Sequence, residues 1–451
     1  MKTKKLLSLT LSTVLALGLF TSPGYAETTN QFNLATTYTM SGGVAEIVAS
    51  TPNGKTLVVT EGSNGSISII SVGKDADVSV QKQVSFKELS SLAEVTSVAI
   101  SPNGKYALVT VRTGDDLNNA NKGFVAVVDI KEGKTVQNYP VGIGPDAIAL
   151  SPDGKTAVIS NEDEEGDPAN DNEIDFSKVK RPGTISVIKF KGGDYLQGEH
   201  TEIKLDLSRT GNHVTYPQDP QPEYVSISPD GTMAAVTLQE NNAIAVIDLD
   251  RVQIKNTFGL GLTKHKADLK NDGKVSITQD MVARPEADGV VWSPDGRYLI
   301  TANEGDLGKN EFKDGIKSGG RNIMVWDLDG KVVYDSMHLI DSVLAEAGLY
   351  PDSRSDRRGS EVENLTVGSI DDNPVLAVAS ERGNAVLFFD ITDVTKPELI
   401  QVVAAGGKGP EGISQVGDRD MFVTADEATG TLSFYKYGQD KKLENDKPEK
   451  N

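Results

Sequence analysis

One short phrase returns along this chain at near-regular intervals. It reads Thr51-Pro-Asn-Gly-Lys55, Ser101-Pro-Asn-Gly-Lys105, Ser151-Pro-Asp-Gly-Lys155, Ser228-Pro-Asp-Gly-Thr232 and Ser293-Pro-Asp-Gly-Arg297. Proline presets φ at the first turn position and the Asn/Asp-Gly pair supplies left-handed backbone, so each copy joins two antiparallel strands. An alternating segment precedes each copy (Val98 to Ile100, Ala147 to Leu150, Tyr224 to Ile227) and a β-rich run follows it (Leu57 to Thr60, Ala107 to Thr110, Ala157 to Ser160). A third strand then closes the unit, as in Phe124 to Ile130, Ala243 to Leu249 and Ile323 to Leu328. Two further units keep this frame without the phrase, starting at Glu363 and at Glu411. Repeated short antiparallel units with no helical periodicity between them predict an all-β, seven-bladed β-propeller. The mean unit of about 60 residues exceeds the ~40–50 of a plain blade, so several loops must be long. Phe32 to Thr39 is strand-like and precedes the first unit. It is expected to supply the outermost strand of the last blade and close the ring.

The chain opens with Lys2, Lys4 and Lys5, an apolar run from Leu6 to Phe20, and Gly24-Tyr25-Ala26. That is the pattern of a secretory signal cleaved after Ala26, leaving a propeller over residues 27–438 and a polar, disordered tail over 439–451. The three lysines leave with the signal, so 42 basic residues face 65 acidic ones, a net charge of −23. An acidic surface repels phosphate backbones, which argues against nucleic-acid partners. No later segment is apolar enough to span a membrane. The chain contains no cysteine, which removes disulfides, thiolate metal sites and a cysteine nucleophile. The expected location is secreted, extracellular or in the cell envelope.

The acidic residues follow the repeat. Six positions before each turn proline stand Glu46, Thr96, Asp146, Glu223 and Asp288, and the two phrase-free units place Glu363 and Glu411 there. After each second strand comes another series: Glu61, Arg112, Glu162, Glu240, Glu304, Glu381 and Glu427. Strands alternate in direction, so both positions fall on one face of a propeller, opposite the Pro-Asp-Gly turns. The long insertions (163–182, 191–221, 251–285, 305–320 and 330–360) fall on that face too. Two like charges at about 6 Å repel by ~2–3 kcal/mol at an effective dielectric near 20, so such rings need cations, basic partners or raised pKa values.

A carboxylate at a strand start can instead accept backbone N–H bonds and lock neighbouring blades. The glutamates after the second strand can pair with Arg358, Arg382 or nearby lysines. Three rim carboxylates within about 5 Å of one point, beside Arg358 or Arg382, would favour a metal. Asp268 to Gln279 resembles a calcium loop, with Asp268 at its first position and Asp272 at its fifth. Lys270 at the third position and Gln279 at the twelfth break the pattern, so a turn-forming loop is the better reading. The acidic stretch 162–173 reads as a solvated loop. The four histidines (His200, His213, His265, His338) all lie in insertions, and each reads as an exposed loop residue. No Gly-x-Ser-x-Gly elbow, His-Glu-x-x-His or phosphate-cradling glycine loop occurs.

From Arg284 onward the chain carries Pro285-Glu-Ala-Asp288, Ala302-Asn-Glu-Gly305, Arg358-Gly-Ser-Glu-Val-Glu363, Glu381-Arg-Gly383, Phe389-Asp-Ile-Thr-Asp393, Gly409-Pro-Glu-Gly412 and Ala425-Asp-Glu427. In order and spacing these resemble the bacterial choice-of-anchor I propellers, within the wider YVTN and lactonase-like group. The resemblance implies an exported or surface-attached propeller with no agreed chemistry, some members being labelled alkaline phosphatase. The expected role is binding at the acidic rim, with calcium or another divalent cation, a basic surface or an extracellular polymer as ligand. The alternatives are a metal-dependent phosphoesterase or lactone hydrolase, and a structural envelope scaffold.

Overall fold

A computed structural model describes residues 30–114, 120–163, 181–211, 213–305 and 315–438. The expected signal peptide, the polar tail and most of the acidic stretch 162–173 lie outside the described residues. These described residues build seven four-stranded antiparallel sheets and one small three-stranded sheet. The first strands of the seven sheets are Val48–Ser50, Glu94–Ile100, Pro145–Leu150, Val225–Ile227, Val290–Trp292, Val362–Ile370 and Pro410–Gln415. Each lies beside the first strand of the next sheet, and the last lies beside the first. The strand Gln31–Thr39 pairs antiparallel with Thr431–Gly438 as the outermost strand of the seventh sheet. Phe32 anchors it: its ring stacks on Phe388 at a centroid distance of 3.6 Å, and Gln401 clamps its backbone N–H and C=O, each at 2.8 Å.

The recurring phrase folds as its chemistry dictates. In the third sheet the Ser151 hydroxyl donates to Asp153 at 2.8 Å and accepts the N–H of Thr156 at 3.0 Å, which opens the next strand. Asp153 in turn accepts the Lys155 N–H, while Gly154 takes φ +71°. Thr51 with Asn53, Ser101 with Asn103, Ser228 with Asp230 and Ser293 with Asp295 repeat the arrangement. Alternation then buries Val, Ile and Ala between neighbouring sheets. Val158 and Val187 of the third sheet, for example, share a core with Val225, Val236 and Ala245 of the fourth.

The insertions contain one element absent from the sequence reading. Thr263–Ala267 and Gln279–Arg284 pair antiparallel, and Lys317–Ser318 adds in parallel to form the small sheet. A buried arginine, Arg321, fastens this sheet to the insertion that carries the helix Leu339–Glu346. It donates to the carbonyl oxygens of Asp268 (2.9 Å), Ser355 (2.9 Å) and Arg357 (2.8 Å) and lies 3.6 Å from Asp341. Gly359 has to be glycine here, because a Cβ would sit 2.7 Å from the Arg321 guanidinium.

Candidate functional site

The first acidic series occupies one structural position. In the third, sixth and seventh sheets the residue sits one place into the first strand, beside a register slip that turns the local backbone. The inter-sheet lock uses its backbone. The Asp146 carbonyl accepts from Thr110 at 3.3 Å, Glu363 from the Gly289 N–H at 3.3 Å and Glu46 from the Gly412 N–H at 2.9 Å, while Glu223 accepts from Ser160.

These carboxylates feel one another. Burial, then the charges of Glu427, Glu94 and Asp146, raises Glu46 to about 7 against the pull of the Gly62 N–H. Burial first, and then neighbouring carboxylates, lifts Glu223, Glu363 and Glu411 well above the usual carboxylate range. Asp288 acts on all three of these groups. Oε2 of Glu223, of Glu363 and of Glu411 is buried without a hydrogen-bond partner. Glu381 is pushed up to about 8 by burial and Glu304, despite the opposing charge of Arg382.

The second series divides. Asn161, Asn303, Ser380 and Asp426 end their strands in one register, opposite the first residue of the third strand, and Glu61 takes that same place opposite Ser66. Glu61 therefore turns into its own sheet, where it accepts from Ser68 and, at 2.8 Å, from Gln83. The next position holds Gly62, Arg112, Glu162, Gln239, Glu304, Glu381 and Glu427. In the first sheet Gly62 makes room for Glu46, whose Oε2 would lie 2.0 Å from a Cβ there. In the fourth sheet Gln239, one residue before Glu240, holds this place and donates to Glu304 at 3.0 Å. Glu240 stays close enough to Glu223 to raise its pKa. In the second sheet Arg112 reaches both acids of the third, Asp146 at 3.3 Å and Glu162 at 3.2 Å.

Two carboxylate triads stand where the fifth and sixth sheets meet. Oxygens of Asp288, Glu304 and Glu363 lie within 4.8 Å of one another, and so do oxygens of Glu304, Glu361 and Glu381. Arg358 stands 3.4 Å from Glu304, and Arg382 stands 2.8 Å from Glu381. Glu361, which sequence reasoning passed over, is the hub of the second triad. Its fully buried carboxylate accepts from Arg354 at 2.6 Å and Arg382 at 3.2 Å, with Arg358 at 3.8 Å. The same motif supplies Arg358, Gly359 against Arg321, Ser360 donating to Asp341 at 2.5 Å, Glu361 and Glu363.

Glu361 sits at φ +46° and Glu286 at φ +47°, each two residues before a first-series carboxylate. Gly144 and Gly409 hold that place in the third and seventh sheets, at φ +57° and +68°. The backbone role is shared: the carbonyls of Gly144, Glu361 and Gly409 accept the N–H of Glu162, Glu381 and Glu427. Only the side chain differs. Glu286 is buried and accepts from the Ser318 hydroxyl of the small sheet.

The proposed calcium loop closes on itself. Asp268 accepts the N–H of Lys270 at 3.1 Å with one oxygen and that of Ser276 at 2.9 Å with the other. Asp272 is exposed and accepts the Lys274 N–H at 3.1 Å. Neither joins the carboxylate triads found among the described residues. His265, expected on an exposed loop, is buried in the small sheet, because both ring nitrogens lie 2.9 Å from carbonyl oxygens, of Lys266 and Gly320.

The model of the choice-of-anchor I domain matches residues 46–318 and 308–394. The comparison with curated proteins finds no match. Among solved structures the chain is similar to Kuenenia stuttgartiensis hydrazine synthase, at 16% identity and a TM-score of 0.56, over 93% of this chain and 99% of that one. It is also similar to the Cps50 (Swd1) β-propeller domain of Myceliophteria thermophila, at 9% identity and a TM-score of 0.54, over 90% of this chain and 99% of that one. At such identities these likenesses show the fold alone.

Proposed function

The chain belongs to the choice-of-anchor I family, and from that premise we propose an exported or cell-surface propeller that holds a hard divalent cation among Asp288, Glu304 and Glu363. In this reading the seven sheets are the blades of one closed ring over residues 27–438, and Gln31–Thr39 completes the last blade. The order of the first strands and the pairing with Thr431–Gly438 support it. In this reading the carboxylates, each raised first by burial and then by its neighbours' charges, gather at one end of the axial tunnel.

The observation that carries the cation reading is the triad with its unpartnered oxygen. Two oxygens bound to one calcium at ~2.3–2.6 Å lie at most about 5 Å apart, and the oxygens of Asp288, Glu304 and Glu363 already lie within 4.8 Å of one another. Oε2 of Glu363 is buried without a partner, a costly state that either a proton or a metal ion relieves. All-oxygen ligands suit calcium or magnesium. In the second triad Arg354, Arg358 and Arg382 already neutralise Glu361, so a cation there would have to displace guanidinium groups.

The test is thermal unfolding of the protein in chelator and then in excess calcium. At one hundred times Kd a bound ligand stabilises by about 2.7 kcal/mol, a rise of several degrees. Glu363→Gln with Asp288→Asn should remove the rise. Because burial and the neighbouring carboxylates lift the Glu363 pKa well above the usual carboxylate range, protons compete with the cation and calcium should bind more weakly as pH falls. Melting that ignores both chelator and calcium would overturn the proposal.

A further inference from the structure

We propose that Arg382 is the anion-binding half of this site, so that the ligand taken at the tunnel end is an oxyanion, carboxylate or phosphate, bridging the bound cation and the Arg382 guanidinium. This rests on the cation reading above and names the ligand class that the same site would take.

The argument starts from the backbone cost at Glu361. A non-glycine residue at left-handed φ costs about 1–2 kcal/mol, and glycine fills the equivalent position in two other sheets. Keeping glutamate there means that the carboxylate has work glycine cannot do. Its contacts show that work: it gathers three guanidinium groups, from Arg354, Arg358 and Arg382. Arg354 and Arg358 are mostly covered, whereas the Arg382 side chain is 40% exposed. Glu361 holds Arg382 Nε, and Glu381 faces its Nη1 at 2.8 Å. Nη2 has no partner among the described residues, so one edge of a rigidly held fork is open.

Position supplies the second half of the argument. Glu304 belongs to both triads, so the arginine cluster and the cation ligands share one carboxylate. A hard cation held by three side-chain oxygens keeps further coordination sites for ligand or water. An oxyanion can give one oxygen to the ion and another to the open Nη2 of the guanidinium as a charge-assisted hydrogen bond. Arg321 maintains this arrangement by fixing the Ser355 and Arg357 carbonyls in the turn that leads into Arg358.

The experiment uses the full chain with calcium, phenyl phosphate and benzoate as probes, read by melting temperature and titration calorimetry. Calcium alone should stabilise. Each probe alone should do nothing, and the preferred probe should tighten calcium binding at least tenfold. Phosphate and carboxylate sources are told apart by which probe does so. Arg382→Gln should keep the calcium response and lose the probe response, while Arg382→Lys should retain only part of it. If calcium alone has no effect, the cation reading fails and takes this inference with it. If calcium stabilises but neither probe adds to it, or if Arg382→Gln leaves the probe effect intact, only the anion half is overturned.

Discussion

Replacing Glu46 by glutamine isolates the cost of one acid of the first series. In the folded chain its pKa stands at about 7 against a reference of 4.5, because it is buried beside other carboxylates. The folded state therefore keeps a proton on Glu46 over a window in which the unfolded chain has lost it. Stability contributed by that difference is present below about pH 4.5 and is lost as pH rises to about 7. A shift of ~2.5 units at ~1.4 kcal/mol per unit makes the loss about 3 kcal/mol, complete by pH 8. Glutamine keeps the size of the side chain and can still accept the Gly62 N–H, but it carries no charge. With an unfolding entropy of ~2.1 cal/mol/K per residue, 3 kcal/mol corresponds to about 4 °C in a fold of this size. Glu46→Gln should therefore melt with the wild type at pH 4 and about 4 °C above it at pH 8.5, both in chelator so that no cation compensates. Two melting curves that stay parallel from pH 4 to 8.5 would refute the claim that Glu46 is held in a repulsive, buried setting.

Three other perturbations have definite outcomes. Arg112→Met removes the positive charge shared by Asp146 and Glu162 and should cost about 2–3 kcal/mol near neutral pH; the additional changes Asp146→Asn and Glu162→Gln should recover most of it in the same melting assay. Phe32→Ala removes a buried ring stacked on Phe388 and should cost about 3–5 kcal/mol, with hydrogen exchange rising first in Gln31–Thr39 and its partner Thr431–Gly438. Arg321→Met strips the hydrogen bonds from the Asp268, Ser355 and Arg357 carbonyls; exchange should rise in residues 263–284 and 350–360 while the first three sheets stay protected.

The turns made most of the fold legible. Ser-Pro-Asp-Gly needs only its own side chains to close, so five hairpins could be placed from five residues each, and alternation located the two without the phrase. The small sheet was not legible, because it joins two insertions and its third strand is only Lys317–Ser318. Nothing local in two residues signals a strand. The first acidic series was readable because it was counted from a fixed turn. The second was located by looking for the nearest glutamate, which slipped by one residue in the first sheet and again in the fourth. A one-residue slip in a strand exchanges its two faces, and Glu61 accordingly turns into its sheet while Gln239, uncharged and overlooked, reaches Glu304. Glu361 was hidden for another reason. Its role depends on left-handed backbone, whose only trace in the sequence is that Glu286-Ala-Asp288 and Glu361-Val-Glu363 align with Gly144-Pro-Asp146 and Gly409-Pro-Glu411.

That alignment also says which part of a nearly repeating molecule is specialised. Repetition alone would give each sheet the same pair of acids, and any departure needs its own cause. Between the second and third sheets the departure is Arg112, which pairs with both Asp146 and Glu162 and offsets one of their two charges. Between the fifth and sixth sheets the departures run the other way. Two glycine positions become glutamates at a backbone cost of about 1–2 kcal/mol each, three arginines converge on one of them, and the small sheet reaches the other through Ser318. Simple neutralisation would place an arginine beside each acid, as Arg112 does, and would leave no carboxylate oxygen unsatisfied. Here the arginines converge on Glu361, with Arg358 also reaching Glu304 and Arg382 reaching Glu381, while Oε2 of Glu363, two residues away, is left buried without a partner. The arginines thus stop short of Glu363, and a cation bound there beside an oxyanion on Arg382 would complement both halves of the site.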